Sequence, residues 1–324
     1  MTEFSYSSPL GPYIKGLIDE KRALGYKYEM EEYILRRLDD YWTCKGHSSP
    51  EIEAGDIEEW LLPSGNEGLS SMGTRVCTAR QLARYMNSRG VAAYIPMNRE
   101  KRAKAVTHVL SKEEIRELFK VIDSHTPSRS SKDTMRMSYE YKVLFRLYLT
   151  TGMRRSEAAE IENRNVDLGN STITILAAKG SKDRIVYLPD DMTELLRSYM
   201  ARMESTLDGP CRWLFPGLDT NNHVSPGALS ILFKDFWNRT CCASAAGKPP
   251  TLHSLRHTYV VTRINTWMEE GLDLRVMLPY LSRQLGHKSP NETYYYYHQV
   301  ADAFRIIQTK DTAAAAVIPE VRAR

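Results

Sequence analysis

A chain of 324 residues with 42% hydrophobic and 26% charged side chains has an ordinary globular composition, long enough for two domains with separate cores. No apolar run approaches a membrane span and the N-terminus lacks a signal-peptide pattern, which predicts a cytoplasmic protein with no membrane partner. Five cysteines lack CxxC spacing, and the adjacent pair Cys241-Cys242 suits reduced thiols better than a disulfide frame or a metal site. The formal charge is +4, and residues 1–105 balance 15 basic against 15 acidic side chains, so the surplus lies beyond them. A polyanionic partner is allowed by that balance and not demanded by it.

Helical spacing dominates the first 95 residues. Tyr13, Ile14, Leu17, Ile18 and Leu24 predict one amphipathic helix, closed by Gly25. A second begins near Glu29, with Tyr33, Ile34, Leu38, Tyr41 and Trp42 inward, and a short third from Asp56 stops at Pro63. A fourth, with Val76, Ala79, Leu82 and Met86 apolar, runs to Asn87 with Gly90 just past its end. Arg80 and Arg84 share a face of it and Arg75 lies near its start. These three are candidate DNA contacts, although a solvated basic face is the plainer reading of that helix taken alone. Residues 96–106 are polar and basic and predict a linker, in which Arg99, Lys101, Arg102 and Lys104 could follow a phosphate backbone.

A second domain is expected over 107–324. Ser111-Lys-Glu-Glu114 is a capping box ahead of Ile115, Leu118, Phe119 and Ile122. A helix with Tyr141, Leu144, Phe145 and Leu149 runs into Thr151-Gly152, and a short one follows over Met153–Ile161. Spacing then changes to alternation. Thr172–Leu176 and Arg184–Leu188 predict a hairpin turning through Lys179-Gly-Ser-Lys-Asp183. Trp213-Leu-Phe215 reads as a third strand, and helices dominate again from Ser225 to about Ile307. The predicted class is therefore mainly α with a small antiparallel sheet in the second domain, whose tail starts near residue 301.

Several residues carry chemistry that a core does not need. A helix starting near Thr251 places His253, Arg256 and His257 at i, i+3 and i+4, on one face. His287 follows in Leu285-Gly-His, and then the run Tyr294-Tyr-Tyr-Tyr297. Breaking a phosphodiester without water asks for fixed arginine cations on the non-bridging oxygens, a phenol able to form an ester, and a proton for the departing 5′ oxygen. Arg154 and Arg256 suit the first role, a tyrosine the second, and Lys179 or an imidazole the third. The plain readings are surface arginines, hairpin-turn lysines and packing aromatics. His253 and His257 have the spacing of two zinc ligands, yet Ser254 stands where HExxH has its glutamate and no third ligand is evident. Each element alone is weak; their joint order is specific.

That order resembles the tyrosine recombinases of the phage-integrase family, most closely from Ser111 to Val300. The family's first arginine box is similar to Thr151-Gly-Met-Arg-Arg-Ser-Glu157, which puts its arginine at Arg154 and its supporting acid at Glu157. The hairpin lysine falls on Lys179, the His-x-Leu-Arg-His box on His253, Arg256 and His257, and the last histidine on His287. Nine residues past it, in a Tyr-x-His context with His298, the nucleophile falls on Tyr296, with Tyr295 and Tyr297 as neighbouring alternatives. The resemblance implies a two-domain clamp, with residues 1–95 as the core-binding domain, that cuts and rejoins DNA through a 3′-phosphotyrosyl link. His257 and Glu157 would orient neighbours. No nucleotide, metal or other cofactor is implied. The implied partners are a double-stranded recombination site, a homo-tetramer spanning two duplexes, and accessory recombination proteins, in integration or transposition of a mobile element. Residues 301–317 are the segment such subunits would trade. A type IB topoisomerase-like enzyme and a non-catalytic DNA-binding regulator remain as alternatives.

Overall fold

A computed structural model describes residues 5–63, 65, 67–97, 107–178, 182–244, 248–287, 289 and 292–293. Its chain divides into two compact units, Met1–Ala105 and Val106–Arg324. Among the described residues no helix is long and apolar enough to cross a membrane.

The first unit is helical: α1 (Gly11–Ala23), α2 (Glu29–Cys44), α3 (Ala54–Trp60) and α4 (Leu69–Ser88). Pro12 in the first turn suits the start of α1, where its missing N–H costs nothing. The inward stripes of α1, α2 and α4 supply Leu10, Ile14, Leu17, Leu35, Leu38, Trp42, Leu82 and Met86 to one core. Asp39 is buried at the edge of that core. Its carboxylate accepts from the backbone N–H groups of Ser7 (2.8 Å) and Ser8 (3.1 Å), which pins the N-terminal segment to α2.

The second unit runs α5 (Lys112–Asp123), α6 (Lys132–Thr151), α7 (Arg155–Ala159), a 3₁₀ turn (Asn163–Asn165), β1 (Val166–Asp167), β2 (Thr172–Ala178), β3 (Lys182–Tyr187), α8 (Asp190–Thr206), α9 (Pro226–Asn238), α10 (Leu252–Glu269) and α11 (Leu274–Leu285). The capping box opening α5 is present, with Glu114 N–H donating to Ser111 Oγ and Ser111 N–H to the Glu114 carboxylate. Helix α6 is the central member and packs against α8 and α10. Its Phe145 meets Phe236 edge to face, with ring centroids 5.7 Å apart, in a core shared with Tyr199, Phe215 and Phe233. Leu110 N–H donates to Thr258 Oγ1 at 2.9 Å, which ties the entry of the unit to α10.

The sheet is antiparallel in the order β1-β2-β3. Ile173 pairs with Val186 and Ile175 with Arg184, so Ile173, Ile175 and Val186 face the core while Ile185 and Tyr187 face out. The third strand differs from expectation. Trp213-Leu-Phe215 forms only isolated bridges, Trp213 with Glu162 and the following Pro216 with His223. The sheet edge is instead taken by the two-residue β1, too short to leave an alternating pattern in the sequence.

Candidate active site

Three turns of the second unit meet at one point. Helix α6 ends at Gly152, whose φ of +65° is left-handed and open to glycine at little cost. A Cβ there would lie 2.4 Å from Tyr259 Cδ1, so the turn also needs the missing side chain for room. Arg154 follows as the residue before α7. The second turn is Leu285-Gly286-His287 at the end of α11, again with a left-handed glycine (φ +64°). The third is the first turn of α10, capped by Thr251, whose N–H donates to Ser254 Oγ.

Two arginines bind these turns together. Arg256, only 4% exposed, donates from Nη1 to the Gly152 carbonyl (2.7 Å) and from Nη2 to the Leu285 carbonyl (2.9 Å). Arg154 donates from Nη2 to the Gly286 carbonyl (2.8 Å) and from Nη1 to Glu157 Oε1 (2.8 Å). The other Glu157 oxygen accepts the Arg154 backbone N–H at 2.7 Å, so acid and arginine are locked within one turn. Burial by itself raises the Glu157 pKa, but Arg184 and then Arg154 outweigh it and hold the carboxyl at about 2.

The charged forms of the three histidines are disfavoured. Arg256 Nη2 donates to His287 Nε2 at 3.0 Å, so Nε2 is the acceptor and the ring proton sits on Nδ1, which donates to Thr293 Oγ1 at 2.7 Å. Burial, then Arg256, Arg154 and Arg184, lower His287 to about 4. Burial, then His253 and Arg256, lower His257 to about 4 as well. His253 meets His257 edge to face at 4.7 Å. Its side chain keeps an exposed face, yet the protein packed round it, then Arg256, Arg154 and Arg155, hold it below the ordinary histidine range. The result is a cluster of two guanidiniums and three imidazoles around the turns at Gly152 and Gly286, a setting that favours an anion such as a phosphate.

A family model described as the phage integrase family matches residues 108–302. The chain belongs to the phage integrase family. It is 24% identical over 304 residues to the tyrosine recombinase XerD of Rhizobium meliloti (strain 1021), covering 92% of each chain. It is 26% identical over 209 residues to XerA of Thermococcus onnurineus (strain NA1), covering 64% of each. Among solved structures, XerH bound to its difH substrate superposes with a TM-score of 0.62 at 21% identity, over 88% of this chain and 79% of that one. The Tn1549 transposon integrase in complex with a circular intermediate DNA gives 0.63 at 13% identity, over 90% and 95%. At these identities the likeness to both structures is one of fold.

Within this phage-integrase chain, Arg154, Glu157, His253, Arg256, His257 and His287 come together at one place. Lys179, Tyr295, Tyr296, Tyr297, His298, the tail from 301, and Arg99, Lys101, Arg102 and Lys104 lie outside the described residues. One expectation is corrected. Arg75 is not a surface cation; it is 4% exposed and donates to the carbonyls of Trp60 (2.6 Å) and Leu62 (2.9 Å) and to Glu67 (2.7 Å), capping the end of α3. Half-buried Arg80 donates twice to the Pro96 carbonyl, and Arg84 is exposed. The sequence reading missed Arg184, whose guanidinium forms a bidentate pair with Glu157 at 2.9 and 2.7 Å. Its signal was available: Arg184 is in phase with Val186 and Leu188, a charge on the buried side of an alternating strand.

Proposed function

We propose that this chain is a site-specific DNA recombinase or integrase, in which Arg154 and Arg256 grip the scissile phosphate and Tyr296 attacks it. The observation that carries the proposal is the pair of guanidiniums fixed on the neighbouring carbonyls of Gly286 and Leu285, with His287 beside them. Two fixed cations stabilise charge developing on the non-bridging oxygens without reorganising during the step. The Tyr296 oxygen bonds to phosphorus as the bond to the 5′ oxygen breaks, and Lys179 protonates that oxygen. His253, whose charged form burial and then the nearby arginines disfavour, takes the phenol proton. The ester conserves the energy of the broken bond, so a partner strand's 5′ hydroxyl can reverse the step without a nucleotide cofactor or metal.

Double-stranded DNA is the partner, as in the DNA complexes of XerH and the Tn1549 integrase. A homo-tetramer on two duplexes, working in the cytoplasm with accessory proteins, would exchange strands to move a mobile element. The exposed Arg84 and the basic 98–104 stretch, rich in Arg and Lys, would follow the phosphate backbone. The test is to incubate the full chain with genomic DNA of its host and map the covalent protein–DNA junctions by sequencing. Attachment at one short site through Tyr296 is expected, and lost in Tyr296→Phe. A Tyr296→Phe protein that still attaches refutes the nucleophile, and relaxation of plasmids lacking any site favours a topoisomerase.

A further inference from the structure

We propose that Arg184 is a positioning residue for strand cleavage, one that holds Arg154 on the scissile phosphate by way of Glu157. The proposal rests on the strand-cleavage reading above. Every described hydrogen bond of Arg184 is directed either at Glu157 or at the end of α11, just before the Leu285-Gly286 carbonyls that hold the two arginines. Nη1 and Nη2 meet the two Glu157 oxygens at 2.9 and 2.7 Å, and Nε donates to the Gln284 carbonyl at 3.1 Å. Both side chains of the pair are buried, Arg184 at 9% exposure and Glu157 at 7%. The guanidinium also lies flat against Gly286, where a Cβ would come within 2.9 Å of Nη1 and 3.0 Å of Cζ. Gly286 is the residue whose carbonyl receives Arg154 Nη2.

One carboxylate therefore stands between two guanidiniums. With Arg184 present, Glu157 can orient Arg154 without drawing off its charge. Remove Arg184 and a single buried carboxylate is left to Arg154, which then pairs with it more tightly and offers less to a phosphate. The same side chain joins β3 to the end of α11. One residue therefore ties β3, the arginine turn and the histidine turn together. Arg184 does this through other groups and is not itself aimed at the reacting atoms.

The test compares single-turnover covalent attachment by full-length wild type, Arg184→Gln and Arg184→Lys. The substrate is a nicked duplex built on the mapped attachment site. Each protein is assayed with an ordinary scissile phosphate and with a methylphosphonate, which removes one non-bridging charge and so lessens the call on a cation clamp. On phosphate, Arg184→Gln is expected to slow attachment roughly 10- to 100-fold, by analogy with the loss of a partner that orients a metal ligand. On the methylphosphonate the gap to wild type narrows. Arg184→Lys falls between, since an ammonium cannot meet both Glu157 oxygens and the Gln284 carbonyl at once. If Arg184→Gln does not fold, Arg184→Lys carries the same comparison. An equal loss on both substrates assigns Arg184 a merely structural part and overturns the proposal, as does a wild-type rate. Absence of any adduct from wild type overturns the strand-cleavage reading itself, a separate and distinguishable failure.

Discussion

Arg154 and Arg256 donate to the carbonyls of consecutive residues, Gly286 and Leu285, so a single turn after α11 sets the spacing of the two guanidiniums. Backbone carbonyls make firm anchors, because their positions are fixed by the helix end and not by rotamers. The arginines are thus held in place before any DNA arrives, which spares the reaction the cost of ordering them.

Arg256→Lys should slow covalent attachment by about 10²- to 10³-fold, the usual cost of losing a preorganised donor to developing charge. An ammonium cannot satisfy the Gly152 and Leu285 carbonyls and His287 together. Single-turnover cleavage alongside thermal unfolding separates the chemical loss from any loss of fold. A variant with the wild-type rate would remove Arg256 from the chemistry.

Gly152→Ala should destabilise the second unit. A non-glycine residue in the left-handed region costs about 1–2 kcal/mol. The new methyl also meets Tyr259 at 2.4 Å, and forced overpacking of this kind adds typically 1–3 kcal/mol. Urea unfolding of the variant reads the sum; a loss of only about 1–2 kcal/mol would show that Tyr259 moves aside freely, and a midpoint equal to wild type would contradict both costs.

Acid should weaken the fold in two separate windows. His257 and His287 titrate near 4 in the folded chain and near 6.5 unfolded, so between those values the unfolded chain binds more protons. Stability then rises with pH from about 4 to about 6.5 and is flat above. Glu157, held at about 2, contributes stability that is complete above the ordinary glutamate value near 4.3 and is lost as pH falls toward 2. Thermal midpoints measured against pH check both windows, with His257→Gln expected to reduce the slope of the upper one and leave the lower one unchanged. An unchanged midpoint between pH 7 and pH 5 would contradict neutral buried imidazoles.

Arg75 and Arg84 should part company although both lie on α4. Arg75→Gln leaves buried carbonyls at the end of α3 short of donors, at about 1–3 kcal/mol each. It should lower thermal stability and leave the salt dependence of DNA binding near wild type. Arg84→Gln should do the reverse, reducing the slope of log K against log salt by about one unit if it neutralises one phosphate. Melting curves and binding titrations at several salt concentrations distinguish the two.

Local pattern was enough for most helices. The Ser111–Glu114 capping box and the 3.6-residue spacing after it mark α5, and Thr251 marks the start of α10. Local pattern failed where a segment's state depended on its neighbour. Trp213-Leu-Phe215 has strand-forming residues, yet Leu214 and Phe215 are drawn into the core and only isolated bridges form. Arg75 stands at i, i+4, i+7 and i+11 with Ala79, Leu82 and Met86, a charge on the buried stripe of α4, and only the end of α3 supplies the carbonyls that let it stay there.

The sequence by itself determined the chemical inventory: which arginines, histidines, lysine and tyrosine occur and in what order, and, for Arg154, His253, Arg256 and His287, on or beside which helices. Those identities are written in side chains and in short spacings, where periodicity and capping act over a few residues. Only the tertiary structure decided what holds them. Arg256 is fixed by the carbonyls of Gly152 and Leu285, and Arg154 by that of Gly286. A backbone acceptor is the same atom at every position, so no residue letter announces it. The pairing of Arg184 with Glu157 likewise joins residues on a strand and a helix that meet only when the sheet packs beside α7 and α11.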